Sequence, residues 1–292
     1  MPELPEVETI RSDVEEHLLG GVIVGAEVFD GRLVEHPGAE EFARRLVGVE
    51  IVGAERRAKH LVIGLGSGDS LVLQLKIGGQ LLLVPPAEEP TTDLLLRLDL
   101  KDERRVFLRD ETTYTRAQLY GPDELEERFT DFGPEPLSGE FTVEYLKKKI
   151  GGRKAQIKPL LLDQKTVSGV GNIYVDEALF DAAIHPRRKA NSLSEAEWEE
   201  LHGAISSNLR DGIEHRGTTF SLYRDLLGRK GRHQNHLKVF LRTGKECLGC
   251  GGVVVKETVG GRATFICEDC QPEVPNGDDL NGSGGAEQLE LL

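Results

Sequence analysis

Two groups of residues in this chain have the types and spacing to do chemistry. The four cysteines fall at Cys247, Cys250, Cys267 and Cys270, as CLGC and CEDC with 16 residues between the pairs. A C-x-x-C turn offers two thiolates to one ion, and two such turns complete a tetrahedral zinc site. Four thiolates fill the coordination sphere, so the ion would be one structural Zn2+ per chain. Two disulfides are the alternative, and a cytoplasmic setting disfavours them. The second group opens the chain, as MPELPEVETI. Trimming Met1 ahead of the small Pro2 would leave a secondary amine, a nucleophile of modest basicity with a pKa of about 8. The same residues also read as helix initiation, with proline in the first turn and Glu3, Glu6 and Glu8 complementing the dipole.

Elements must position these groups. Val7, Ile10, Val14 and Leu18 recur at helical spacing, so a helix follows the opening. Short β-rich runs come next, at 22–29, 49–55, 60–65, 70–75, 80–84, 94–100 and 105–110. Their spacing predicts an antiparallel sandwich or barrel. A loop spans 85–93, and the Pro/Gly-rich stretch 132–141 marks a boundary. Helical patterns then cover 143–150, 156–164, 172–182 and 192–213, the last opened by a Ser194/Glu197 capping box. The stretch 218–236 has no clean period and reads as a loop. Gly260-Gly261 divides two β runs between the cysteine pairs, giving a hairpin with Arg262 at its tip. That arginine is either a solvated turn residue or a phosphate clamp. Gly169 and Gly171 precede Asn172, a natural N-cap, so backbone N–H groups there could face an anion; a plain helical hairpin is the other reading. The tail from Pro272 is acidic and Gly-rich, the composition of disorder.

The 292 residues are 38% hydrophobic, enough for two domains with real cores. No run of 18 apolar residues and no basic, apolar leader is present, so the expected location is cytoplasmic, without a membrane. The net charge of −14 argues at first against nucleic acid. Residues 147–245, however, carry 19 Lys/Arg against 11 Asp/Glu, a basic middle between acidic ends that could form a phosphate-binding stripe.

Beyond these local readings, the chain resembles the formamidopyrimidine-DNA glycosylases of the Fpg/Nei family, on its Fpg branch. The resemblance runs over residues 1–271 through PELPEVE at the start, RRAKHL at 56–61, GPEPL at 133–137, IKPLLLDQ at 157–164, GVGNIYVDEALF at 169–180, IHP at 184–186 and the four-cysteine ribbon with GGRATF. It implies an α+β multidomain fold: an N-terminal antiparallel β-sandwich with an N-terminal helix (1–131), a helix-two-turn-helix domain with a lesion-capping loop (132–240), a zinc-ribbon hairpin (241–271) and a disordered acidic tail (272–292). It also implies a bifunctional glycosylase/AP lyase of base-excision repair, a bacterial, nucleoid-associated monomer acting on double-stranded DNA with damaged bases, oxidised purines above all. Pro2 would be the nucleophile, Glu3 the general acid/base, and Lys59 a strand residue binding phosphate near the lesion. Asn172 and Arg262 would clamp the phosphates flanking the flipped nucleotide, with Lys158 a further DNA contact.

Two stretches depart from the family pattern. Where the family has H-L-G-M-x-G, this chain has QLKIGG, with Gln74 and Ile77 at the His and Met positions. Where the family has D-P-R-R-F-G, this chain has DETTYT, with Glu111, Thr112 and Thr113 replacing the Pro and both Arg, and Tyr114 at the Phe position. Ile77 can still fill the void left by a flipped base, and Tyr114 can still wedge the stack. Neither threonine can make a bidentate contact to the opposite base, so relaxed opposite-base specificity is expected. Alternatives are a member preferring oxidised pyrimidines, abasic sites or single strands, and a damage-binding protein with little catalysis.

Overall fold

The computed structural model describes residues 1–85, 90 and 92–273. The loop expected over 85–93 therefore lies mostly outside the described residues, as does nearly all of the acidic tail. Helix α1 (Leu4–Leu18) opens the fold, followed by strand β1 (Ile23–Val28), helix α2 (Ala39–Leu46), and strands β2 (Ile51–Arg57), β3 (His60–Leu65), β4 (Ser70–Gln74), β5 (Gln80–Val84), β6 (Leu94–Leu100), β7 (Arg105–Arg109) and β8 (Arg116–Tyr120). The strands form two four-stranded antiparallel sheets, ordered β1-β6-β7-β5 and β2-β3-β4-β8. Their inner faces share one core, which includes Ile23, Ile63, Leu73, Leu96, Val106 and Leu108. Val7, Ile10, Val14 and Leu18 of α1 enter the same core. Leu4, one turn earlier, belongs to the next one.

That second core is helical. After α3 (Pro122–Phe129) come α4 (Val143–Ile150), α5 (Ile157–Leu162), α6 (Asn172–Asp181) and α7 (Glu195–Glu214). Leu146, Leu161, Tyr174, Val175, Trp198 and Ile205 pack together in it. The expected box at Ser194/Glu197 is present: Ser194 Oγ accepts from Glu197 N, and Glu197 accepts from Ser194 N. A third, small cluster lies under the hairpin of β9 (Val254–Val259) and β10 (Arg262–Cys267), with Val239, Val254 and Phe265. Gly260 and Gly261 both have positive φ, the backbone that a two-residue hairpin turn demands and glycine supplies without strain. Among the described residues no helix is long and apolar enough to cross a membrane.

Candidate active site

The opening segment lies where the two large cores meet. Pro2 is buried. It lines a small cavity of about 100 Å³ with Glu6, Ile77, Ile173, Thr218, Phe220 and Tyr223. Leu4 anchors it: Leu4 N donates to Gly169 O at 3.0 Å, and the side chain packs so tightly on Gly169 that a methyl there would come within 2.8 Å. Gly169 also has φ +80, so this turn needs glycine twice over. Gln164 holds the turn from inside, accepting from Gly169 N (2.8 Å) and donating to Val170 O (3.0 Å).

Glu3 precedes α1 but serves another helix. Its carboxylate accepts from Ile173 N at 3.1 Å and approaches Tyr174 N at 3.5 Å, in the first turn of α6. A carboxylate at a helix N-terminus satisfies orphan N–H groups and complements the dipole. Gly171 is the N-cap of α6. Asn172, expected in that role, is instead the first helical residue, and its amide reaches across to Ala263 O at 2.8 Å. Gly171 holds the cap because nothing larger fits: a methyl there would overlap the Glu3 carboxylate and lie 2.6 Å from Lys59 Nζ. The Glu3 carboxylate and the Lys59 ammonium therefore meet over one α-carbon.

Lys59 reaches this point from a tight turn, with Ala58, between β2 and β3, rather than from within a strand as expected. Glu135, in the GPEPL motif, fixes that turn. It accepts from Ala58 N (2.7 Å), Arg57 Nη1 (2.9 Å), Ser168 Oγ (3.0 Å) and Arg56. Burial opposes its charge, but Arg56 and these donors hold the Glu135 carboxyl below the usual range. Burial pushes the Lys59 pKa down and Arg262 pushes it the same way, while Glu3 and Glu6 resist. Glu6 sits deeper, accepting from Glu3 N (2.8 Å), Thr218 N (2.7 Å) and Tyr174 OH (2.8 Å). Burial and the neighbouring Glu3 push its pKa up despite those donors. Glu135, Tyr174 and Thr218 had no functional reading in the sequence, because their partners are long-range; only the places of Glu135 and Tyr174 inside matched motifs pointed to them.

Arg262 is exposed at the hairpin tip, near enough to Lys59 to depress it. Lys158 does not reach a surface. Its side chain is 0% exposed, with the ammonium on Asp176 (2.7 Å), Thr264 Oγ1 (2.7 Å) and Ala263 O (3.0 Å). The expected DNA contact is thus corrected to a strut that, with Asn172, grips the residue after Arg262. Ile77 and Tyr114 are 55% and 60% exposed. They project into a cleft of about 560 Å³, also lined by Gln74, Lys76, Arg116 and Arg128. Asp110 shapes the second loop, accepting from Thr112 N (2.8 Å), Thr112 Oγ1 (2.6 Å) and Thr115 N (2.9 Å). The four cysteine sulfurs lie within 4.8 Å of one another, with Cys247–Cys270 at 3.8 Å and Cys250–Cys267 at 3.5 Å. Zn–S bonds of about 2.3 Å in a tetrahedron set sulfurs about 3.8 Å apart, so this group can hold a metal ion.

Comparison with known proteins agrees with this layout. Residues 1–117 match the formamidopyrimidine-DNA glycosylase N-terminal domain, and residues 132–224 match the formamidopyrimidine-DNA glycosylase H2TH domain. A formamidopyrimidine-DNA glycosylase of Roseiflexus sp. strain RS-1 is 42% identical over 275 residues, 93% of this chain and 100% of the relative. One of Carboxydothermus hydrogenoformans is 40% identical over 271 residues, with the same shares. The Lactococcus lactis enzyme, solved with Fapy-dG-containing DNA, superposes with a TM-score of 0.87 at 33% identity, covering 93% of this chain and 100% of that one. Its complex with abasic-site DNA superposes with a TM-score of 0.88, at the same identity and shares. The chain belongs to the formamidopyrimidine-DNA glycosylase family of DNA-repair enzymes.

Proposed function

We propose that the chain excises oxidised purines, such as 8-oxoguanine and formamidopyrimidines, from duplex DNA and then cuts the sugar through a Pro2 Schiff base. The observation that carries the reading is the meeting of Glu3 and Lys59 over Gly171, beside the cavity that Pro2 lines. With Met1 removed, the Pro2 nitrogen attacks C1′ of a nucleotide turned out of the stack. The C1′–N bond to the base breaks, and the base leaves with a proton. Glu3, held by the α6 N-terminus, is placed to protonate the ring oxygen or the base. The C1′–O4′ bond then breaks, the ring oxygen leaving as a hydroxyl with a proton, and the open-chain sugar is held as an iminium on Pro2, an electron sink. It acidifies C2′, whose proton loss expels the 3′ phosphate; a second elimination expels the 5′ phosphate.

Lys59, Asn172 and Arg262 bind the phosphates around the flipped nucleotide. Loss of water from Lys59 already lowers its pKa, so an arriving phosphate restores a favourable charge. A zinc ion held by Cys247, Cys250, Cys267 and Cys270 would fold the hairpin that presents Arg262. Ile77 and Tyr114 fill the gap left in the helix. Opposite-base reading is relaxed. Arg109 is turned to Asp93 at 3.2 Å. Arg116 already uses Nε on Glu35 (3.0 Å) and Nη1 on the carbonyls of Thr115 (2.9 Å) and Thr113 (3.2 Å), so it has no full fork to offer a base. The enzyme acts as a monomer on damaged duplex DNA, at the nucleoid. The test is borohydride reduction in the presence of an 8-oxoguanine duplex. A covalent protein–DNA adduct is expected; binding to lesion DNA without an adduct would assign the chain to damage recognition instead.

A further inference from the structure

The loop that follows α7 supplies Thr218, Phe220, Leu222 and Tyr223 to the Pro2 cavity. It leaves the helix through Arg216, whose φ is +58. Glycine adopts that backbone freely and arginine does not. The side chain shows what an arginine gains there. Its Nη2 lies 2.8 and 2.7 Å from the two carboxylate oxygens of Asp13, on α1, and 2.6 Å from Asp225 Oδ2, in the loop itself. Asp13 and Asp225 are each only 1% exposed. Two carboxylates buried side by side repel each other, and Arg216, which lies closer to Asp13 than Arg229 does (2.7 against 3.7 Å), is the main cation joining them, with Arg229 on Asp225 at 2.8 Å beside it.

Asp225 also organises the loop from within. Its Oδ1 accepts from Arg229 N (2.8 Å) and Leu227 N (3.1 Å), while Arg229 Nε pairs with Oδ2 at 2.8 Å. Beyond this cluster the loop is fastened to the sandwich. Leu83 N donates to Leu226 O at 2.8 Å, extending the edge of β5, and the Leu226 side chain is fully buried in the sandwich core. Tyr223 OH donates to Arg216 O at 3.2 Å, closing the loop on the residue that starts it.

We infer that Arg216 is a positioning residue: by bridging Asp13 and Asp225 it fastens the 218–231 loop over the Pro2 cavity before DNA arrives, so that the surface meeting a flipped base is built in advance. The part of this that concerns the base rests on the proposed function; the fastening does not. A damaged base inserted beside Pro2 meets this loop, whereas an abasic sugar has no base to meet it. Arg216 therefore matters to base excision and little to cleavage at a ready-made abasic site.

Arg216→Gly is the informative variant, because glycine suits the backbone and removes both ion pairs. Amide hydrogen exchange of the DNA-free protein should quicken at least tenfold in peptides covering 218–231 and stay unchanged in α7. Single-turnover excision of 8-oxoguanine should fall at least tenfold, while borohydride trapping on an abasic-site duplex stays within twofold. Asp225→Asn, which is isosteric, should show the same split and replaces the first variant if that one fails to fold. Unchanged exchange overturns the inference, and so does an equal loss of both activities or undiminished excision. Should the wild-type protein trap neither substrate, the proposed function fails, and hydrogen exchange alone still decides whether Arg216 fastens the loop.

Discussion

The sharpest test of the site is one methyl group. Gly171 has φ −134 and ψ −164, extended backbone that alanine adopts without strain. What forbids alanine is space. Its Cβ would lie 2.6 Å from Lys59 Nζ, where an ordinary contact begins at 3.4 Å, and nearer still to the Glu3 carboxylate. Both groups must retreat by about 1 Å, and a misplacement of that size in a catalytic group costs about 100-fold in rate. As Glu3 moves, its 3.1 Å bond from Ile173 N is lost as well. Losing such a helix cap costs about 1 kcal/mol, or about 2–4 °C in Tm. Gly171→Ala should therefore fold, melt slightly lower and excise about 100-fold more slowly in single-turnover assays. Gly152→Ala is the matched control, since nothing lies within 4 Å of its added methyl. If Gly171→Ala excises within threefold of wild type, the crowding of Glu3 and Lys59 has no bearing on the chemistry, and the assignment of both falls.

Other outcomes follow from the same geometry. A protein that keeps Met1 or an N-terminal tag should form no borohydride-trapped adduct, because Pro2 then has no amine; an adduct from blocked protein would remove Pro2 as nucleophile. Elemental analysis should find one zinc per chain, lost in Cys250→Ser, with DNA affinity reduced and its dependence on salt made shallower as the Arg262 phosphate contact goes. His60 and His233 are each pushed down to about 4, chiefly by burial. The unfolded chain takes up those protons near pH 6.5, so stability should fall by about 1.4 kcal/mol per pH unit for each histidine between about pH 6.5 and 4. A Tm that holds steady over that range would refute this, and His233→Phe should flatten the profile. Excision should vary by less than about tenfold across C, T, G and A opposite the lesion, because a reader arginine contributes about 1–3 kcal/mol and the two arginines flanking the 110–115 loop, Arg109 and Arg116, are turned to other partners. A hundredfold preference for cytosine in single-turnover assays would show otherwise, and Thr112→Arg should create some preference.

Strands and helices that bury a full apolar face were readable from the sequence, as in HLVIGL and the Ser194-capped helix. Three elements that bury little were missed. Helix α3 (PDELEERF) has no buried residue, and α2 buries only Phe42 and Leu46. Strand β8 alternates just two buried residues, Ala117 and Leu119, too few to show a period. Residue preference favours asparagine as an N-cap, but Glu3 and Lys59 crowd the position and leave room only for Gly171. Lys158 read as a basic surface residue because nothing in the local sequence shows that Asp176, one helix later, neutralises it in the interior. The cysteine pairs were readable because their spacing alone defines four ligands; Glu6 was half readable, as an acid at the helix start, without its partners Tyr174 and Thr218.

The opening PELPEVE makes sense residue by residue once the joint between the two large cores is seen. Leu4 plugs into the helical core while Val7 enters the sandwich, so one turn of α1 is held by both. Pro5 packs against Gly212 of α7, where a methyl would meet it at 2.9 Å, and Thr9 Oγ1 donates to its carbonyl at 2.8 Å. Glu6 ties Glu3 N to Tyr174 OH and Thr218 N, linking the segment to α6 and to the loop over the cavity. Glu8 faces the other way and accepts from Arg56 Nε at 2.9 Å, on the arginine that also pairs with Glu135 behind Lys59. A flexible amine would have to be ordered in every turnover, at a conformational cost of about 1–2 kcal/mol for each residue fixed. Here folding has already fixed the residues on either side of Glu3, so the proposed nucleophile and its proposed acid/base partner would enter the reaction in one geometry. The same tightness explains why Glu3 is recruited by the N-terminus of a helix some 170 residues away in sequence: the carboxylate next to Pro2 is held by the core that Leu4 enters, as the proposed acid/base role requires.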